Sequence, residues 1–171
     1  SWKNKGNALE KIGKNKESAK CYDKVLGIKK IDTLLNQGNE LFQLKKYEQS
    51  LECYKEVIEI DENDVDGWNN KGLALQNLGR FEEALECYDR ALEIDENYLH
   101  GWNNKGRTLQ NLGRHEEAMM FFDRALEIDE NDVDGWSNKG RTLQNLGRHE
   151  EALECYDRAL EIDENHIGAW L

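Results

Sequence analysis

Proline is absent from the 171-residue sequence, so nothing in it imposes a fixed kink or stop on a helix. Cysteine is scarce at 4 residues, and no two lie in the close C-x2-C pairing that a zinc site needs. No apolar run approaches the roughly 18 residues of a membrane span. The opening Ser1-Trp2-Lys3-Asn4-Lys5 leads into no apolar segment of the signal-peptide kind. Positive charge is in the minority: 23 Lys and Arg face 35 Asp and Glu, for a formal charge of −12. Without a clustered basic patch to displace counterions from phosphates, nucleic acid is excluded as a partner. With no membrane partner either, and with cysteines that look unpaired, the expected home is the cytoplasm.

What is present is repetition. Trp68, Trp102, Trp136 and Trp170 stand 34 residues apart. Aligned on them, residues 65–98, 99–132 and 133–166 are three full units, and the first and third agree at 29 of 34 positions. Two divergent units precede them, at 1–30 and 31–64, and 167–171 opens a sixth. Each unit carries two stretches of helical period. In residues 65–98, Trp68, Gly72, Leu75 and Leu78 share one face, and Ala84, Leu85, Tyr88, Ala91 and Leu92 share a second. Gly79 between them can take a left-handed C-cap, and Asn63, Asp64 and Asp132 can serve as N-caps. A lone hairpin leaves one apolar face uncovered, so the units must stack.

Trp-x-x-x-Gly, then Ala (Ala84, Ala118, Ala152), Tyr or Phe (Tyr88, Phe122, Tyr156) and Ala (Ala91, Ala125, Ala159) resembles the tetratricopeptide repeat family over essentially the whole chain. The resemblance implies an all-α fold, a right-handed superhelical α-solenoid of antiparallel helix-turn-helix hairpins. It also implies that Gly6, Gly38, Gly72, Gly106 and Gly140 allow close approach of the two helices. Two departures stand out. Glu62, Glu96, Glu130 and Glu164 replace the usual proline; glutamate permits another helical turn, so although Asp95-Glu96-Asn97 reads as the end of a second helix, the exact helix ends stay open. Lys71, Lys105 and Lys139 replace a leucine, with stems able to pack while the ammonium reaches water.

In such arrays the first helices line a concave groove, which implies a protein or peptide ligand rather than catalysis. The first-helix segments together carry +3, leaving −15 for the remainder. One slot holds Asn4, Asn36, Asn70, Asn104 and Asn138 in all five units. A carboxamide can bond both the N–H and the C=O of an extended peptide. The row resembles the asparagine ladder of O-linked N-acetylglucosamine transferase repeats and armadillo-type import receptors. The alternative is that these amides bond the neighbouring repeat and fix the stacking. Asn103, Gln110 and Gln144 share the stripe, and Arg107 and Arg141 point to an acidic group on the ligand. The expected peptide-binding set is therefore these ten residues.

Other readings are weaker. A carboxylate clamp of the co-chaperone type matches at Lys3, Asn7 and Asn36 but meets Asp66 and Asn70 where Lys and Arg belong. The loops at Glu62 and Glu130 have Leu73 and Arg141 where a calcium loop needs a bidentate Glu. Cys21, Cys53, Cys87 and Cys155 share one slot, and repeat spacing of about 8–10 Å exceeds the ~7 Å reach of a disulfide. His115 and His149 suit packing at the hairpin turn, and no nucleophile–base pair, cofactor motif or metal cluster is legible. Ending at Trp170-Leu171 without a polar cap, the chain reads as a piece of a longer array whose uncovered ends associate head-to-tail. A helix running through an inter-repeat loop would add a route to swapping. Two further roles remain: the regulatory, substrate-binding arm of a larger enzyme such as a glycosyltransferase, and an architectural spacer.

Overall fold

The computed structural model describes residues 1–165; His166 and the partial unit at 167–171, with Trp170, lie outside the described residues. Among the described residues the secondary structure is helical throughout: α1 (Trp2–Lys11), α2 (Asn15–Gln43), α3 (Tyr47–Ile60), α4 (Val65–Asn77), α5 (Phe81–Ile94), α6 (Leu99–Asn111), α7 (His115–Ile128), α8 (Val133–Asn145) and α9 (His149–Ile162). Neighbours in sequence pack as hairpins, and α4, α6 and α8 also touch one another in series.

A glycine–aromatic lock closes each hairpin. A Cβ on Gly72 would lie 2.6 Å from Tyr88 Cε1, and on Gly106 2.6 Å from Phe122 Cε1. Tyr54, Tyr88 and Phe122 are fully buried as a result. The hairpin turns use Gly79, Gly113 and Gly147 at φ +75°, +72° and +75°, the left-handed C-cap expected of Gly79. Lys45 occupies the same slot at φ 58°.

The inter-repeat loops end the second helices at the Asp-Glu-Asn segment, as read for Asp95-Glu96-Asn97, and fix the helix ends that the missing proline left open. Glutamate in the proline slot does not extend the second helices, which stop at Ile60, Ile94, Ile128 and Ile162. The following aspartate takes an extended conformation, and its carboxylate accepts the backbone N–H two residues on: Asn63 to Asp61 at 3.0 Å, Asn97 to Asp95 at 3.0 Å. This Asx turn competes with continued helix. Trp68, Trp102 and Trp136 then reach back, their Nε1 donating to the carbonyls of Glu62, Glu96 and Glu130 at 2.9 Å. Asp64 caps α4 by accepting the Gly67 N–H at 2.6 Å. Asp132 stands at the N-cap of α8 but makes no capping bond there, and Asn63 is not a cap.

Where the Asp-Glu-Asn signal is missing, the loop is missing too. Gly27-Ile28-Lys29-Lys30 is helical, and α2 runs unbroken for 29 residues, about 43 Å at 1.5 Å per residue. The boundary read at residue 30 therefore falls inside a helix. The second helix of the first unit and the first helix of the next form one rod, so they cannot stack face to face. Leu26 is 65% exposed, whereas Leu126 in the equivalent slot is 9% exposed beneath the following repeat.

The lysines in the leucine slot do more than reach water. Lys105 pairs with Asp89 of the preceding repeat, Lys139 Nζ lies 2.6 Å from Asp123 Oδ1, and Lys71 sits over the Trp68 ring. His115 is half-buried as expected of a turn-packing residue, but His149 is exposed.

All four cysteines are buried free thiols. Burial pushes the Cys87 thiol up to about 11 and also raises Cys53 and Cys155. Since the thiolate is the nucleophile, iodoacetamide at pH 8 should label Cys87 of the native chain at least about tenfold more slowly than that of the urea-unfolded chain. Mass spectrometry gives the rates, and equal rates would contradict the burial described.

Candidate peptide groove

The first helices leave an open cleft of about 830 Å³ across three repeats. The second half of α2 contributes Leu35, Asn39 and Phe42; α4 contributes Asp66, Asn69, Asn70, Leu73, Gln76 and Asn77; α6 contributes His100, Asn104 and Arg107. Tyr98, just before α6, closes one side. Its hydroxyl donates to Asp66 Oδ1 at 2.8 Å, its ring meets His100 edge-on, and burial together with the Asp66 contact raises its pKa.

Carboxamides link the repeats in a chain. The Tyr54 hydroxyl donates to Asn39 Oδ1 at 2.8 Å, and Asn70 Nδ2 reaches the same oxygen at 3.4 Å. Asn69 Nδ2 donates to Asn70 Oδ1 at 3.2 Å, Asn104 Nδ2 to Asn69 Oδ1 at 2.8 Å, and Arg107 Nη2 to Asn104 Oδ1 at 3.1 Å. The inter-repeat bonds expected under the stacking alternative are thus present at Asn70 and Asn104.

One substitution changes the wiring farther along. In the third and fifth units the tyrosine that packs on the hairpin glycine donates its hydroxyl to a glutamine, Tyr88 to Gln76 and Tyr156 to Gln144, each at 3.1 Å. The fourth unit has Phe122, with no hydroxyl, and Gln110 turns to the next repeat instead. Its Nε2 donates to the Asn138 carbonyl at 2.9 Å and its Oε1 accepts from Arg141 Nη2 at 3.0 Å. Arg141 Nη2 also donates to Asn138 Oδ1 at 2.7 Å.

Of the ten expected residues, Asn70, Asn104 and Arg107 line the cleft together. Asn138, Arg141 and Gln110 form the next cluster, tied to it through α6. Gln144 is occupied by Tyr156, and Asn103 donates to Asp132 Oδ2 at 2.5 Å, so its amide turns toward the following repeat. Asn4 and Asn36 are exposed on α1 and α2, outside the cleft lining. Sequence reasoning missed Leu35, Asn39, Phe42 and Tyr98. The signal for Tyr98 was available: it fills the slot held by Asp64 and Asp132, and α6 has no side-chain cap.

A regular stack of glycine-locked hairpins with such a concave face defines a helical-repeat scaffold. Family profiles described as Tetratricopeptide repeat match residues 65–98 and 133–166, and residues 1–32 and 99–132; one described as TPR repeat matches 38–79. The chain belongs to the tetratricopeptide repeat family, an all-α right-handed superhelical solenoid. No curated protein sequence matches it. Among solved structures it is similar to YrrB, described as a TPR protein with an unusual peptide-binding site, at 25% identity and TM-score 0.69 over 99% of this chain and 88% of that one. MamA from Desulfovibrio magneticus RS-1 is similar at 21% identity and TM-score 0.71, covering 82% and 79%. The first TPR of Spaghetti (RPAP3), bound to the HSP90 peptide SRMEEVD, is similar at 24% identity and TM-score 0.66, covering 70% and 94%.

Proposed function

We propose that the chain is a protein- or peptide-binding scaffold that holds an extended segment in the cleft between α2, α4 and α6. The observation that carries this reading is the cleft itself: about 830 Å³, open along three repeats, with apolar, amide and cationic side chains side by side. The described peptide-binding site of YrrB and the peptide bound to RPAP3 support the same use of this architecture. The reading is of a scaffold rather than an enzyme. The tyrosine and cysteine groups whose ionisation is displaced all move upward through burial, away from nucleophile activation.

A second reading has its own support. The amide chain from Asn39 to Arg107 braces adjacent repeats, which suits an architectural spacer. A peptide array probed with the isolated chain separates the two. The binding reading expects a subset of peptides retained with dissociation constants on the order of micromolar, about −8 kcal/mol. Retention of none would favour the spacer.

A further inference from the structure

The sequence contains eight arginines, and six of them pair with the glutamate three residues on: Arg80, Arg90, Arg114, Arg124, Arg148 and Arg158. The other two are Arg107 and Arg141. Among the described residues neither has a carboxylate within 4.0 Å, and both aim the guanidinium at neutral carboxamide oxygens. Amide acceptors fix the pose of a guanidinium without neutralising its charge, which leaves it available to a stronger acceptor. Gln110, three residues after Arg107 on α6, accepts from Arg141 of the next repeat, which puts the two cations on adjacent first helices.

The slot these arginines occupy follows each hairpin glycine and reads Asn7, Asn39, Leu73, Arg107, Arg141 along the chain. Two of the five differences between the third and fifth units fall at this slot and the next residue, Leu73 against Arg141 and Ala74 against Thr142. The groove is therefore graded. Leu35, Phe42 and Leu73 offer apolar surface at the α2–α4 end of the cleft, and Arg107 offers uncompensated charge at its α6 end. Arg141 adds a second such charge on α8, beyond the cleft lining and tied to α6 through Gln110. The cleft's one lining carboxylate, Asp66, sits in the first turn of α4 and accepts the Tyr98 hydroxyl.

We infer that the ligand is an acidic peptide of fixed orientation: an Asp or Glu side chain, or a terminal carboxylate, seats on Arg107 and Arg141, and an apolar side chain lies on Leu35, Phe42 and Leu73. This rests on the binding reading above and adds the ligand's chemistry and direction.

A decapeptide array scanned at every position with Asp, Glu, Leu, Phe and Ala, with free or amidated C-termini, tests it. The wild-type chain, Arg107→Gln/Arg141→Gln and Leu73→Arg are the probes, with thermal melts confirming that each is folded. The wild-type chain is expected to select an acidic group and an apolar residue at a constant spacing, with affinity falling as salt rises. The double glutamine variant should lose the acidic selection and bind at least about tenfold more weakly, the scale of one charge-assisted hydrogen bond. Leu73→Arg should lose the apolar selection and take more acidic peptides. The same peptides retained by wild-type chain and double variant would overturn the inference and leave the binding reading standing. No retained peptide at all would overturn both.

Discussion

Replacing Phe122 with alanine is expected to lower the unfolding free energy by about 3–5 kcal/mol. The ring is fully buried, packed with Leu109 and Ala118 and flanked by Leu85 and Phe121. It also fills the space that Gly106 leaves open. The reverse change, Gly106→Ala, is expected to cost about 1–3 kcal/mol through overpacking. Its Cβ would stand 2.6 Å from Phe122 Cε1 and 2.8 Å from Cζ, and a ring held on all sides cannot move aside. Gly106→Ala combined with Phe122→Leu should cost less than the two single changes added together, because the pair shares one contact. Gly27→Ala is the control. Gly27 lies inside α2 with Ile60 Cγ2 at 3.8 Å from its added Cβ, an ordinary contact. There alanine should stabilise by roughly 0.5–1 kcal/mol. Urea unfolding followed by circular dichroism reads all five variants, the single Phe122→Leu included, and strict additivity at Gly106 and Phe122 would contradict the lock.

The second large effect separates two members of the asparagine row. Asn104 donates to Asn69, whose side chain is buried, so Asn104→Ala strands an amide oxygen and should cost about 1–3 kcal/mol of stability. Asn138 uses its side chain to accept from Arg141 at an exposed position. Asn138→Ala should change stability by no more than about 0.5 kcal/mol. It should nonetheless weaken binding of an acidic peptide, because it releases one of the two tethers on Arg141. Thermal melts and peptide titrations of both variants give the comparison. Equal loss of stability in the two would assign the whole row to stacking.

The fold was legible because its determinants are periodic. The 34-residue spacing, the Gly72–Tyr88 type of pairing and the turn glycines each repeat with the same neighbours. The stop at Asp95-Glu96-Asn97 was legible as a break in the helical pattern, and the glutamate-for-proline exchange at Glu62 left the exact helix end open. Its cause was not legible: a turn in which an aspartate accepts the N–H two residues on, as Asp61 does from Asn63. The fusion of α2 follows from the same logic, since residues 27–30 lack that turn.

The groove was legible only in outline. Asn70, Asn104 and Asn138 occupy one slot, yet each bonds a different partner, because a carboxamide donates and accepts and its choice is set by the residue opposite. Gln110 differs from Gln76 and Gln144 for a reason one helix away, the missing hydroxyl of Phe122. Repeat equivalence identifies the slot; the tertiary neighbour decides what the side chain does there.

The most direct measurement is an NMR titration of the folded chain with a retained peptide, following backbone and side-chain amide resonances. Binding in the proposed cleft should move the signals of Asn70, Leu73, Asn104 and Arg107 on α4 and α6. Shifts confined to α5 and α7, with the first helices unperturbed, would contradict the concave face as the binding surface.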